Sequence, residues 1–420
     1  MRTLYGTLLQ PRSADDCAVT PKMAVRIGPD GRISEVCQRP ATGRDVCGDE
    51  QCWILPGFID AHLHLPQWDR RGIDGLSLLD WHEQVVYPAE ARFEDPAVAE
   101  RLTEDFVTHM IANGTTTVAA FGSPYAEATD RAFTVFARRG VRAIHGMMLN
   151  DLHCPPELRQ DADKALDASR DLAARWHNAE GGRLSYAFSP RTPVSCSERM
   201  MRGAAALAGM LKCYVQTHLA ESLALTRAAR ESFPDRVDEV DIFAEMGLLS
   251  QRTLLGHGVF LNQQQRHQVA KTRTTVVHCP TANLFLEAGV MDYVAHRSAG
   301  IRIALGSSLA GGHDPFMPRV AIECLQTAKG LKMHAVPRRT YAVPTPAEAW
   351  WLLTRGAAMS LELDHKIGSI EPGFEADCLV VRPEPWIAEL PPERQVSALL
   401  YTLGPEQIEH VFIAGHRVGP

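Results

Sequence analysis

The chain of 420 residues holds ten cysteines, yet no C-x-x-C pair and no regular spacing among them. That argues against a disulfide framework and for a reducing compartment. No apolar stretch reaches membrane-spanning length, and the start, Met1-Arg2-Thr3-Leu4-Tyr5-Gly6, has no apolar leader core. A cytoplasmic location and no membrane partner are therefore expected. Positive charge is nowhere clustered and the net charge is −7, so nucleic acid is not an expected partner. The phosphate-cradling G-x-x-x-x-G-K-[ST] loop is missing, and so is H-x-E…P-C-x-x-C. His82-Glu83-Gln84-Val85-Val86 opens like H-E-x-x-H but ends in valine, and Gly311-Gly312 reads as a turn.

What is present centres on Pro56-Gly57-Phe58-Ile59-Asp60-Ala61-His62-Leu63-His64-Leu65. The apolar run Trp53 to Ile59 reads as a buried strand, closed by a His-x-His pair. Side chains two apart on a strand share a face, so His62 and His64 can present two imidazoles to one point, as a metal requires. Further strand-like runs follow at Thr115–Phe121, Arg142–Leu149, Leu184–Pro190, Tyr214–Ala220, Thr253–Gly258, Thr274–Cys279 and Ile301–Gly306. Amphipathic stretches such as Ala97–Ala112, Asp163–His177 and Glu198–Met210 lie between them. Strands alternating with helices in this number fit a (β/α)8 TIM barrel, with a doubly wound open sheet as the alternative.

His62, His64, His218, Glu221, His257 and Ser308 fall at, or just past, the C-terminal ends of these runs. In a barrel those ends converge on one mouth. Both chain termini read as short strands. Met23–Ile27 and Arg32–Val36 flank the turn Pro29-Asp30-Gly31, and Ala376–Val381 and Glu409–Ala414 return to that style. The two ends are therefore expected to pair in one small sheet domain beside a large α/β domain.

His62, His64 and His218 make a zinc set that leaves a position for water, whose pKa such an ion lowers to about 7. Glu221 follows His218 closely and is placed to shuttle a proton. His257 stands between Gly256 and Gly258, where it is either a ligand or a donor to developing negative charge.

Together, Pro56 to His64, His218 to Glu221, His257-Gly258 and Gly368 to Asp377 resemble the amidohydrolase superfamily. Within it the chain is similar to the guanine deaminases at His64-Leu65-Pro66-Gln67, Leu79-Asp80-Trp81, Tyr87-Pro88-Ala89-Glu90, Asn113 to Thr117, Ser189-Pro190-Arg191, Val194-Ser195-Cys196 and His278 to Leu284. The resemblance implies a distorted barrel over residues 55–370 and a small β-sandwich built from 1–54 and 371–420. It implies one zinc ion, with iron as the alternative metal, a homodimer, and a small heterocyclic substrate that loses an exocyclic amine as ammonia. No lysine closes the fourth strand, which agrees with one metal. By the same resemblance His62, His64 and His218 are the metal ligands and Glu221 the proton shuttle. His257 faces the water and the reacting carbon, and Gln67 and Arg191 hold the purine edge. A planar guanidinium fork and an amide suit ring nitrogens and a carbonyl.

One position departs from the family pattern. The eighth strand of these proteins ends in Gly-Thr-Asp or Gly-Ser-Asp, whereas this chain has Gly306-Ser307-Ser308. A serine hydroxyl stays protonated at neutral pH and is a poor ligand and a poor base. Asp314 swinging in, Glu221 or His257 acting as base, and a water held by the hydroxyl are the open routes. So is a member that binds a purine-like ligand without efficient turnover.

Overall fold

A computed structural model describes residues 2–38, 45–334 and 341–419. Of the segments expected as 1–54, 55–370 and 371–420, the first two include a few positions outside those residues and the last only position 420. The strands run in chain order as β1 (Arg2–Ser13), β2 (Asp16–Ile27), β3 (Ile33–Cys37), β4 (Val46–Cys47), β5 (Trp53–Pro56), β6 (Phe58–His64) and β7 (Thr115–Phe121). They continue as β8 (Arg142–Gly146), β9 (Met148–Leu149), β10 (Leu184–Pro190), β11 (Tyr214–Leu219), β12 (Thr253–His257), β13 (Thr275–His278) and β14 (Arg302–Leu305). Near the C-terminus come β15 (Cys378–Val381), β16 (Ile408–Ile413) and β17 (His416–Val418).

Both chain ends share one sheet. Among the described residues its order is β17-β16-β15-β5-β1-β2-β3, with β4 beside β1. The β2–β3 hairpin forms where Pro29-Asp30-Gly31 predicts a turn, with Gly31 at φ 77°, a backbone conformation that costs glycine little. One face of the sheet closes over Leu4, Leu8, Val25, Ile27, Ile54, Val380 and Phe412, all buried.

The barrel strands run β6-β7-β8-β10-β11-β12-β13-β14, with β9 extending the edge against β10. The pairs β8–β10, β10–β11, β11–β12, β12–β13 and β13–β14 are parallel. Parallel strands flanked by helices are covered on both faces, which is why β7, β10 and β11 are buried at every position. The seam is closed by main chain: the Ser308 N–H donates to His62 O and the His64 N–H to Leu309 O, both at 2.8 Å. The predicted helices occupy Pro96–Ala112, Ala162–Trp176 and Glu198–Leu211. Asp161 and Ser197 cap the last two by accepting from the Lys164 and Met200 amides.

The run Trp53 to Ile59, expected as one strand, is two. β5 belongs to the sheet of the chain ends and β6 to the barrel, and Gly57 is the break. A Cβ there would stand 2.2 Å from Thr116 Oγ1, so only glycine lets the chain pass. The run Arg142–Leu149 divides likewise around Gly146 and Met147, where a Cβ on Gly146 would meet Ala187 O at 1.7 Å.

Candidate active site

β6 ends in His62 and His64, β11 carries His218 next to its last residue, and β12 ends in His257. All four rings are buried. Their centroids lie 5.3 Å apart for His62–His64, 5.0 Å for His62–His218, 5.2 Å for His62–His257 and 5.7 Å for His218–His257. Two glycines make room for this packing: a Cβ on Gly256 would lie 2.4 Å from His62 Cε1, and one on Gly306 2.6 Å from His62 Cβ. Phe121, one face of the nest, stacks on His64 at 4.8 Å and on His218 at 4.9 Å.

The hydrogen bonds behind the rings fix which nitrogens face inward. His218 Nδ1 donates to Arg191 O at 2.8 Å, leaving its Nε2 lone pair 3.0 Å from His64 Nε2. His257 Nδ1 donates to Asn283 Oδ1 at 2.8 Å. Burial, then the neighbouring rings, hold His62 and His64 well below the ordinary imidazole range; burial takes His218 down to about 3. Neutral imidazoles are the ligand form. One nitrogen each of His62, His218 and His257 lies within 4.8 Å of the others, and His64 meets His218 directly. Neutral nitrogen donors on His62, His64 and His218, the last oriented from behind by Arg191 O, fit a metal ion.

Glu221 Oε1 lies 3.3 Å from His257 Nε2. Burial alone would push this carboxyl up, but His257, His218, His82 and Arg191 together outweigh it and hold it below the usual carboxylate range. With Nδ1 turned to Asn283, it is Nε2 of this ring that faces the carboxylate.

These side chains open on a cavity of about 20 Å³, room for about one water, whose polar wall is His64, His218, His257, Glu221, Gln67 and Ser308. Leu78, Trp81, Val86 and Leu286 complete it, together with His82. Gln67 is buried, and its Oε1 accepts from the Ala310 amide at 3.4 Å. Ser308 is placed with φ 48°.

Two expected residues stand elsewhere. Arg191 is outside this wall: its guanidinium is paired with the fully buried Glu90, Nε reaches Asn150 Oδ1 at 3.3 Å, and the Tyr87 ring lies 5.6 Å away. Its main-chain carbonyl orients His218 through two bonds, from N–H at 3.2 Å and from Nδ1 at 2.8 Å. Asp314 is half-buried, also outside the wall, and acts on the Arg71 guanidinium.

Residues 53–418 match the amidohydrolase family. The chain belongs to that family. This amidohydrolase is 30% identical to a probable guanine deaminase of Deinococcus radiodurans, over 98% of its own length and 96% of the relative's. It is 31% identical to guanine deaminase of Escherichia coli K12 over 79% and 73% of the two chains. A solved structure of E. coli guanine deaminase covers the whole chain, 99% of its own, with a TM-score of 0.92 at 25% identity.

Sequence reasoning missed His82, Asn283, Glu90, Asn150 and Phe121 as parts of the site. Glu90 and Asn283 lie in stretches that carry the family resemblance. Their roles depend on partners far along the chain, Arg191 and His257, and no local spacing announces those.

Proposed function

We propose that the chain is a metal-dependent aminohydrolase that deaminates guanine or a related aminopurine or pterin and releases ammonia. The observation that carries this reading is the meeting of an imidazole nest, an ionised Glu221 and the Gln67 amide around one cavity. The kinship with guanine deaminases adds the substrate class. His62, His64 and His218 would hold the ion, with His257 beside them. Bound there, a zinc-type ion supplies Lewis acidity that brings a water's pKa toward neutrality.

The chain's own groups do the remaining work. Glu221, ionised, takes one proton from the attacking water and passes it to a ring nitrogen, then takes the second from the hydroxyl so added and passes it to the departing amine. Asn283 keeps His257 in one tautomer throughout. Gln67 orients the ring through its amide. Arg191 holds His218 through its carbonyl and reaches the ligand with its guanidinium once the fork turns from Glu90. A heterocycle is larger than the cavity, so the wall must widen to admit it. Zinc as the metal, a homodimer and a cytoplasmic location belong to the same proposal: zinc rests on the histidine set and the family resemblance, the homodimer on the resemblance, and the location on composition.

A second reading is kept by Ser308, a hydroxyl at the position where the family pattern has a carboxylate. It is an amidohydrolase fold that binds a purine-like ligand without efficient turnover. Metal content measured with ammonia release from a panel of aminopurines and pterins separates the two. Release that depends on the metal supports the aminohydrolase. A metal-loaded chain that binds these rings and frees no ammonia supports the second reading. A chain that neither takes metal nor binds any ring would sink both.

A further inference from the structure

The segment Leu78–Val86 turns an apolar face to the cavity, since Leu78, Trp81 and Val86 line it and pack with Val85, Leu286 and Ala310. His82 is the polar member of that face. An aliphatic side chain would complete the packing there, whereas the half-buried imidazole adds two nitrogens that can hydrogen-bond. One has its partner: Nδ1 lies 2.9 Å from Leu78 O, four residues back, so Nδ1 carries the hydrogen and donates it. The lone pair of the neutral ring is then at Nε2, and no hydrogen bond to Nε2 exists among the described residues. Burial pushes the ring below the ordinary imidazole value despite the opposing pull of Glu221, which keeps Nε2 an acceptor at neutral pH.

The local backbone is unusual as well. His82–Val86 is a π-helical turn, a distortion that re-aims side chains and recurs at functional sites. Two other acceptors of the wall have partners, Gln67 Oε1 with the Ala310 amide and Glu221 Oε1 with His257, and the Ser308 hydroxyl is a further one. A ring N–H directed at the Leu78–Val86 side of the cavity finds a neutral acceptor at His82.

Resting on the function proposed above, we propose that His82 Nε2 accepts a hydrogen bond from a ring N–H of the heterocycle, which makes His82 a ligand-reading residue of the site. The probe is xanthine, the ring left when oxygen replaces the amine of guanine, because deamination cannot consume it. Its Kd is measured by titration on the metal-loaded full chain for wild type, His82→Phe and His82→Gln, with metal content assayed in each. The phenyl ring keeps the shape and loses the acceptor, whereas glutamine loses the aromatic shape and keeps an acceptor.

The expected result is roughly a 10-fold weakening for His82→Phe at unchanged metal content, with His82→Gln recovering most of it. A packing role predicts the reverse order. Undiminished affinity in His82→Phe, or equal losses in both variants, overturns the assignment while leaving the proposed function standing. A wild type that binds neither xanthine nor guanine overturns that function and this inference with it.

Discussion

At the barrel seam, β6 presents the imidazoles of His62 and His64, whereas the turn after β14 presents the hydroxyls of Ser307 and Ser308. The main chain treats the two sides evenly, since each gives one N–H and takes one across the seam at 2.8 Å. Both sides are buried to the same degree, with Ser308 at 5% exposure and His64 at 7%. The backbone at Ser308 is therefore held as firmly as the strand end that carries the imidazoles. Position and chemistry are separable: a strand end can be held in register by its backbone while its functional group is exchanged.

The largest effect expected from testing that contrast comes from Ser308→Asp, which makes both sides of the seam carry ligands. A positioned base contributes roughly 10²–10⁴-fold in rate, so kcat for ammonia release from guanine should rise within that range while metal content holds or increases. A variant that keeps its metal and gains no activity would show a site rebuilt for another task. A wild type that is already fast, and is slowed by the aspartate, would assign the base's role to another residue.

Next in size is Glu221→Gln, which removes the carboxylate that faces His257 Nε2 at 3.3 Å. A loss of about 10³-fold in kcat, with metal content and KM nearly unchanged, is expected of a proton shuttle. Unchanged kcat would move the proton traffic away from the β11 side. The double variant with Ser308→Asp tells whether the two carboxylates act as one unit, because losses in a shared step are not additive.

These contrasts also explain what the sequence could reveal. The strand ends bearing His62, His64, His218 and His257 were legible because strand periodicity and polar termini are local signals. The split of Trp53–Ile59 was not. Only the approach of Thr116, far along the chain, requires Gly57 to end one sheet and begin another. Arg191 was expected at the cavity by resemblance, yet its guanidinium pairs outside the wall with Glu90, 101 positions away, which no local pattern announces. His82 was set aside because it fails a zinc motif. Its place in the cavity wall follows from a π-helical turn that no simple periodicity encodes.

The smallest expected effect concerns the loop after β11, which contrasts with the seam in being braced by a carboxyl. Glu239, buried, accepts from the Ala220 amide at 3.3 Å and from Thr226 Oγ1 at 2.9 Å, and so holds the chain beside Glu221. Burial pushes its carboxyl up from 4.5 to about 7, against the lowering effect of those two bonds. The folded chain thus binds this proton more tightly than the unfolded one. Its contribution is complete below pH 4.5, is lost as pH rises through about 7, and is constant above. At about 1.4 kcal/mol per unit, the whole span is about 3 kcal/mol. His145 opposes this slope: burial takes it from 6.5 down to about 4, so its contribution is lost as pH falls through that window. A wild-type curve alone therefore mixes the two signs, and the difference between wild type and Glu239→Gln isolates the carboxyl. Glutamine keeps an acceptor for Ala220 and cannot ionise. In urea melts between pH 4.5 and 8, the variant should gain on the wild type up to pH 7, by about 3 kcal/mol in total, and run parallel to it afterwards. Curves that stay parallel throughout would mean that Glu239 is already ionised at pH 4.5, and that the loop carrying Glu221 is braced by a carboxylate.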